Sequence, residues 1–260
     1  PTNTIVSNIT QNTATISWTA SIDANVTAYE YEVRSSGAAG SGNTGLAAFG
    51  TTSALTANIT GLSPSGNYTI YVKSICGTSS GKWNPVSANF YTLCGIVSAN
   101  FHEGFETTAT GTTTNNNFPY CWSYVDDVTT TGYGYVNATN AQSGSNSYRL
   151  YKTNSVANQG QKIILISPET TNLGNGTKQL RFSVRAATAT NINNLEIVSA
   201  SGNDANATFT VLRTINVDYT TYQEYIIPLP ATTDDYFAFR LAHNGTTTLS
   251  TVLCAVSNAK

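Results

Sequence analysis

A chain of 260 residues with 12 basic and 14 acidic side chains has a net charge of −2 and no Lys/Arg run, which argues against a nucleic-acid-binding surface. Hydrophobic content of 40% supports a packed core rather than general disorder, and no stretch reaches the roughly 18–20 apolar residues of a membrane span. Four cysteines, none in CxxC spacing, with no methionine, read as disulfide-forming residues of an extracellular protein rather than metal ligands.

No signal peptide is recognisable and the chain starts directly on a domain, so a piece of a longer exported protein is expected. Thr13-Ala14-Thr15-Ile16-Ser17-Trp18 alternates polar and apolar side chains, the period of a half-buried strand. Tyr29, Tyr31 and Val33 continue the pattern. Ala57 and Ile59, the turn Gly61-Leu62-Ser63-Pro64 and the strand over 68–73 follow. Strands at this spacing, broken by Gly, Pro, Asn and Ser, predict an antiparallel sandwich.

The Trp18 strand, Tyr29 and the corner Leu62-x-Pro64-x-x-x-Tyr68-x-x-x-Val72 resemble a fibronectin type III domain, assigned to residues 1–94. The resemblance implies a tryptophan in the core and a Tyr68 hydroxyl bonded back to the backbone. The segment SICGTSSGKWNPVSANFYTLC resembles the last hairpin of such domains in secreted proteins of Bacteroidota. There a cysteine after the Tyr-x-Val strand pairs with one that closes the domain. That resemblance implies a Cys76–Cys94 bridge, closing a loop of about 18 residues and worth roughly 3 kcal/mol. Gly77-Thr78-Ser79-Ser80-Gly81 matches the GxSxG nucleophile elbow. That motif needs a strand-to-helix turn, His and an acid, whereas this one lies between two strands of a module without histidine.

From Gly95 onward the strands are separated by longer segments rich in Asn and Thr. The stretch 179–185 alternates cleanly, and 147–152, 161–167, 195–199, 208–217, 223–229 and 236–243 are further strand candidates. With no convincing helical period, residues 95–260 are predicted to form a two-sheet jelly roll. The landmarks FHEGFE, FPYCW, SGSNSYRLY, LISPETTNL, LRFSVRA, TFTVLRTI, YQEYIIPLP and YFAFRLAH, in that order, look like the jelly-roll modules called cleaved-adhesin or choice-of-anchor domains, relatives of MAM domains and carbohydrate-binding modules. The resemblance covers residues 99–256. It implies a large secreted or surface protein, exported by the type IX route, whose modules serve adhesion, glycan binding or a hydrolase as accessory units.

His102-Glu103-Gly104-Phe105-Glu106 comes one residue type short of HExxH. The zincin reading fails because Glu106 replaces the second histidine, Gly104 disfavours a helix, and His243 offers no convergent triad. Related jelly rolls bind a structural calcium where first and last strands meet, and carried over that makes Glu103 or Glu106 a ligand. Against this, Val252-Leu253-Cys254-Ala255-Val256 lacks the acid of the family's last strand, and a glutamate on a solvated strand end is the plain alternative. A Cys121–Cys254 bridge would replace the ion as a clamp, worth about 4–5 kcal/mol for a loop of this length; two free buried thiols are the alternative.

Asp126-Asp127 and Asp234-Asp235 read as ion ligands or as solvated turn formers. Tyr133-Gly134-Tyr135 reads as a platform for sugar rings or as core and turn aromatics. The Asn-x-Thr sequons, in a chain so rich in both residues, carry no glycosylation claim. Phe101 and Phe105 are expected to pack.

These readings predict an all-β chain: a fibronectin type III sandwich over 1–94, then a jelly-roll β-sandwich over 95–260. The function expected is a non-catalytic adhesive or carbohydrate-binding pair, secreted or on the cell surface, monomeric, with calcium as the one cofactor considered. Its partner would be a surface glycan or the neighbouring domains of the same chain. The alternatives are a structural stalk and accessory domains of a hydrolase. The link over 93–97 has no flexible Gly/Ser tract, so a fixed angle between the modules is expected.

Overall fold

The computed structural model describes the chain apart from residues 85–87, 99, 101, 129–130, 154–160, 172–174, 189–192, 243–248 and 258–260, and apart from a few side chains in the neighbouring strands. The described residues are strands, turns and loops, as the sequence predicts, and none forms a helix long and apolar enough to cross a membrane. Two compact units emerge, Pro1–Gly95 and Ile96–Lys260.

In the first unit, β1 (Thr2–Ser7), β2 (Ala14–Thr19) and β5 (Thr56–Ile59) form one antiparallel sheet in the order β1-β2-β5. The facing sheet places β3 (Ala28–Arg34) between β4 (Leu46–Thr52) and β6 (Asn67–Cys76). The short β7 (Ser79–Ser80) and β8 (Ala88–Tyr91) both pair with β6. Alternation puts Ala14, Ile16 and Trp18 on the inner face of β2 and Tyr68, Ile70 and Val72 on that of β6. Trp18 meets Tyr29 edge to face at 5.6 Å, and Tyr68 packs on Phe90 at 5.6 Å, geometries that add to the area these rings bury.

Tyr68 makes the expected corner: the Ser63 N–H donates to its hydroxyl oxygen at 2.9 Å. Gly66 passes so close to this ring that a Cβ there would lie 2.5 Å from it. A feature the sequence did not signal is Arg34, whose side chain is wholly buried. It pairs with Glu32 at 2.7 Å and donates to the carbonyls of Ser36, Gly42 and Thr44 and to the Ser41 hydroxyl. Glu32 in turn accepts the Gly40 N–H. A charge taken out of water is tolerated only when paired and fully hydrogen-bonded, and here the guanidinium supplies the donors that order the β3–β4 connection.

The second unit is a sandwich of two antiparallel sheets. One runs β10-β13-β18-β15-β16: β10 (Ser123–Asp126), β13 (Ile163–Ile166), β18 (Tyr236–Ala242), β15 (Asn193–Ala200) and β16 (Phe209–Val217). The other runs β11-β12-β19-β14-β17: β11 (Gly132–Asn137), β12 (Ser147–Lys152), β19 (Leu249–Ser257), β14 (Gln179–Ala186) and β17 (Gln223–Pro228). The two-residue β9 (His102–Glu103) adds to β19, with His102 opposite Ser257 and Glu103 opposite Val256. First and last strands therefore meet.

The core between the sheets includes Trp122, Tyr148, Leu150, Phe182, Val184, Phe237, Phe239 and Leu253. In β13 all four residues are buried, because Ile164 and Ile166 enter a second apolar cluster with Val125, Val198 and Ala238 on the opposite face of their sheet. Burial on both faces explains the continuous apolar run Ile-Ile-Leu-Ile where a half-buried strand would alternate.

Tyr68→Phe removes only the hydroxyl and strands the Ser63 N–H. We expect a loss of about 1 kcal/mol in the first unit's stability, read as a lower urea midpoint with unchanged slope; an unchanged midpoint would show that the corner bond does not anchor this sandwich.

Candidate functional site

The segment after β9 turns sharply at Phe105, which has a positive φ of 65° and a fully buried ring 5.6 Å from Tyr148. The Glu103 carboxylate accepts the Phe105 N–H. Glu106 accepts the N–H groups of Ser145, at 3.1 Å, and Asn146, at 2.9 Å, in the β11–β12 connection, while the Asn146 side chain donates to the Phe105 carbonyl at 2.9 Å. Gly144, also at positive φ, lies against this carboxylate where a Cβ would come within 2.4 Å of Oε1. The HEGFE stretch is thus a clamp between the first strand and the β11–β12 loop. His102 is exposed at a strand end, while Phe101 and His243 lie outside the described residues.

Burial pushes the Glu103 carboxyl above the usual carboxylate range, an effect the Phe105 N–H and His102 reduce and Glu106 increases. Only one Glu103 oxygen has a hydrogen-bond partner among the described residues. A desolvated carboxylate with an open oxygen beside a second carboxylate fits a cation, and calcium accepts such oxygens together with backbone carbonyls. The set does not extend to the other acids considered: no group of three His, Cys, Asp or Glu side chains converges among the described residues.

Asp126 and Asp127 instead close the end of β10. Asp126 accepts the Tyr124 hydroxyl at 3.0 Å and the Val128 N–H at 3.0 Å, and Asp127 accepts the Lys162 N–H. Both act electrostatically on Lys152, a fully buried lysine whose ammonium donates to the Gln161 carbonyl. Burial lowers the Lys152 pKa, and Asp127 and Asp126 partly offset this. Asp234 accepts the Ser199 hydroxyl at 2.5 Å.

Tyr133 and Tyr135 lie on β11, on the face turned away from the core. Tyr133 is 7% exposed, stacked on Tyr151 with centroids 4.4 Å apart and planes 7° apart, and tilted against Tyr135 at 5.5 Å. Stacking on a sugar needs an open ring face, so Tyr133 is a packing residue rather than the platform.

Aromatic surface facing solvent occurs instead at residues the sequence pattern did not single out. An open groove of ≈ 420 Å³ is lined by Phe118, Tyr124, Asp126, Asn203 and Asp204 among others. Phe118 is 38% exposed and lies 6.2 Å from Tyr124. Burial, reinforced by Asp126, raises the Tyr124 phenol far above its ordinary value, so it stays protonated and keeps donating to Asp126. The sequence signals were an aromatic before a proline, Phe118-Pro119, and the turn Gly202-Asn203-Asp204; neither says that β10 and the β15–β16 turn approach each other.

The cysteines correct one expectation. Cys76 is a free thiol with Sγ 3.8 Å from the Asp23 carboxylate, so the Cys76–Cys94 bridge does not form. Cys94 and Cys121 are each disulfide-bonded, and the Cys254 side chain lies outside the described residues. The end of β6 places Cys76 opposite Ser79 across a tight turn, a register set by the hairpin. That hairpin contains Gly77-Thr78-Ser79-Ser80-Gly81 and joins strand to strand, without the helix a nucleophile elbow requires.

Residues 1–90 match the family profile of the fibronectin type III domain, in accord with the Trp18 strand and the Tyr68 corner. A search of curated proteins finds no match. Among solved structures the chain is similar to the K2 cleaved adhesin domain of Lys-gingipain, at 18% identity and TM-score 0.49, over 62% of this chain and 100% of that one. It is also similar to the K1 cleaved adhesin domain of Lys-gingipain from Porphyromonas gingivalis W83, at 20% identity and TM-score 0.48, over 62% and 98%. A xylan-binding domain from CBM 22 is similar at 12% identity and TM-score 0.40, over 61% and 92%.

Glu106→Ala leaves the Ser145 and Asn146 N–H groups without their acceptor. The expected loss is about 1.5 kcal/mol, the low end for bonds to a charged group because Glu106 is exposed. Chemical unfolding of the second unit measures it, with Glu106→Gln, which keeps an acceptor oxygen, falling between wild type and Ala.

Proposed function

We propose that this chain is a non-catalytic recognition pair of a secreted or cell-surface protein, with the second unit binding glycan and the first acting as a spacer. The observation that carries this reading is the open groove, in which the Phe118 and Tyr124 rings lie beside Asp126, Asn203 and Asp204. Rings offer apolar faces to a sugar, and carboxylate and amide groups accept and donate to its hydroxyls. The disulfide-bonded Cys94 and Cys121 favour an oxidising compartment. Calcium at Glu103, with Glu106 beside it, belongs to the same reading, as a brace where β9 meets β19.

A neutral oligosaccharide array, followed by calorimetry on the best binder, tests the groove. Phe118→Ala is expected to weaken binding about three- to tenfold, the worth of one aromatic contact, with little change on adding salt because the ligand is uncharged. Silence across the array, or an F118A variant that binds like wild type, would sink the glycan reading in favour of a structural stalk. For calcium, the expected result is a higher melting temperature in calcium than in EDTA, abolished in Glu103→Gln. An identical curve in both would dismiss the ion.

A further inference from the structure

The connection between β13 and β14 contains Asn175-Gly176-Thr177, a triplet whose geometry the fold dictates. Gly176 has a positive φ of 67°, and a Cβ there would lie 2.9 Å from the Ala231 backbone nitrogen in the connection between β17 and β18. The position therefore requires glycine. Asn175 closes the turn: its Oδ1 accepts the Thr177 N–H at 3.1 Å and the Thr177 hydroxyl at 2.8 Å. The bond from the Thr177 N–H closes a ring of atoms that contains the Gly176 nitrogen, so the Asn175 amide carbon is folded back towards that nitrogen. The Gly176 N–H has no acceptor among the described residues, and Asn175, Gly176 and Thr177 are all exposed to water.

Asn137-Ala138-Thr139 offers a comparison within the same unit. Asn137 Oδ1 also accepts two bonds, from the Thr139 N–H at 3.1 Å and the Thr139 hydroxyl at 3.0 Å. There the next residue is alanine, whose methyl group restricts the backbone and crowds its nitrogen. Asn137 also ends β11, opposite Ser147 in the ladder, and its carbonyl accepts the Ser147 hydroxyl at 3.4 Å. The same hold on the side-chain oxygen thus accompanies an uncrowded nitrogen at Gly176 and a restrained chain at Asn137. The second Asn-Gly pair of the chain, Asn244-Gly245, lies outside the described residues.

We propose that Asn175 is a site of spontaneous covalent modification, in which the Gly176 nitrogen attacks the Asn175 side-chain amide and the two Thr177 donors activate that amide. The nitrogen gives up its proton and bonds to Cγ, and the Cγ–Nδ2 bond breaks, so that ammonia leaves carrying that proton. Negative charge in the tetrahedral intermediate falls on Oδ1, which Thr177 already holds with both donors. Holding the reacting atoms within one turn lowers the barrier further. Water then opens the cyclic succinimide. Cleavage between the nitrogen and Cγ gives aspartate, and cleavage between the nitrogen and the main-chain carbonyl carbon gives isoaspartate, in which the chain runs through Cγ. Aspartate keeps the oxygen that Thr177 holds, whereas isoaspartate inserts a methylene into the chain beside the tight approach of Gly176 to Ala231. Either product adds a negative charge to a chain of net charge −2.

The test is peptide mapping by mass spectrometry of the 260-residue chain after incubation in mildly alkaline buffer, with fragmentation that separates aspartate from isoaspartate. The expected result is conversion at Asn175 with isoaspartate among the products, faster as pH rises because the attacking nitrogen must lose its proton. Asn137 should convert at least about tenfold more slowly. Thr177→Val keeps the N–H and removes the hydroxyl. It should slow conversion at Asn175 by about tenfold, less than such a donor supplies in a closed active site. Asn175→Gln, whose longer side chain must close a larger ring, should stay unmodified over the same period. The proposal is overturned if Asn175 stays intact, if Asn137 converts as fast, or if Thr177→Val converts as fast as wild type. Melting curves accompany Thr177→Val; if it melts early, Thr177→Ser, which restores the hydroxyl, decides. Wild-type conversion by the serine variant is expected, and conversion as slow as that of the valine variant overturns the proposal.

Discussion

The second unit depends on one pairing constraint: β19, the last strand of the chain, is an interior strand of its sheet. It lies between β12 and β14 and also receives β9, so segments from both ends of the unit are hydrogen-bonded to the same strand. Until β19 is in place, β12 and β14 each present an unpaired edge, and the inner face carrying Tyr148, Leu150 and Val184 lacks Leu253 and Val256. Unpaired backbone groups and uncovered apolar surface are both costly. The clamp at Glu103 to Glu106 follows from this geometry, because the chain that leaves β9 must turn at once into the core through Phe105.

The alternation that builds the core also decides which side chains reach the surface. In the sheet containing β19, one parity of residues fills the sandwich and the other turns outward, as at Tyr135, Arg149 and Arg185. In β13 both parities are apolar and Ile164 and Ile166 join the second cluster, with the Arg240–Glu196 ion pair beside them on the same face; the aromatic groove lies at the rim, where the β10 region meets the turn after β15. One unit thus presents two chemically opposed surfaces, an aromatic groove edged by Asp126 and Asp204 and an arginine-bearing face. In a protein of net charge −2 such a separation of charge depends on placement rather than composition, since total charge is nearly balanced.

Buried ions follow the same logic of placement. Arg34 and Lys152 are both fully buried, and each satisfies backbone carbonyls of an adjoining connection: Arg34 between β3 and β4, Lys152 at Gln161 just before β13. In a chain with so few charges, Arg34 orders a connection that Gly, Ser and Asn alone would leave loose. The Asp126-Asp127 pair belongs to this use, as partial counter-charge to Lys152.

Much of the fold was legible in the residues themselves. The alternation over 13–18 and 179–185 follows from short-range rules, a side-chain period of two, turn chemistry and the demand that one face of each strand be buried, whereas the Tyr68 corner was legible through its resemblance to a fibronectin type III domain. β10 and β11 were harder to read, because four residues at β10 and the Gly-interrupted Tyr133-Gly134-Tyr135 give little periodic signal. Pairing between distant segments was not legible at all. Cys76 looked like a disulfide partner by resemblance, yet the hairpin register leaves it as a free thiol. Tyr133 looked like an open ring until cross-strand pairing laid it on Tyr151, and Asp126 and Glu103 looked alike until the sheets carried them to different places. The sequence by itself determined that this is an all-β chain of two sandwich-forming halves, since local periodicity and turn residues suffice for that. Only the tertiary structure decided which aromatic rings face solvent, which arginines share a row and which acids stand together, because those depend on register between strands far apart in the chain.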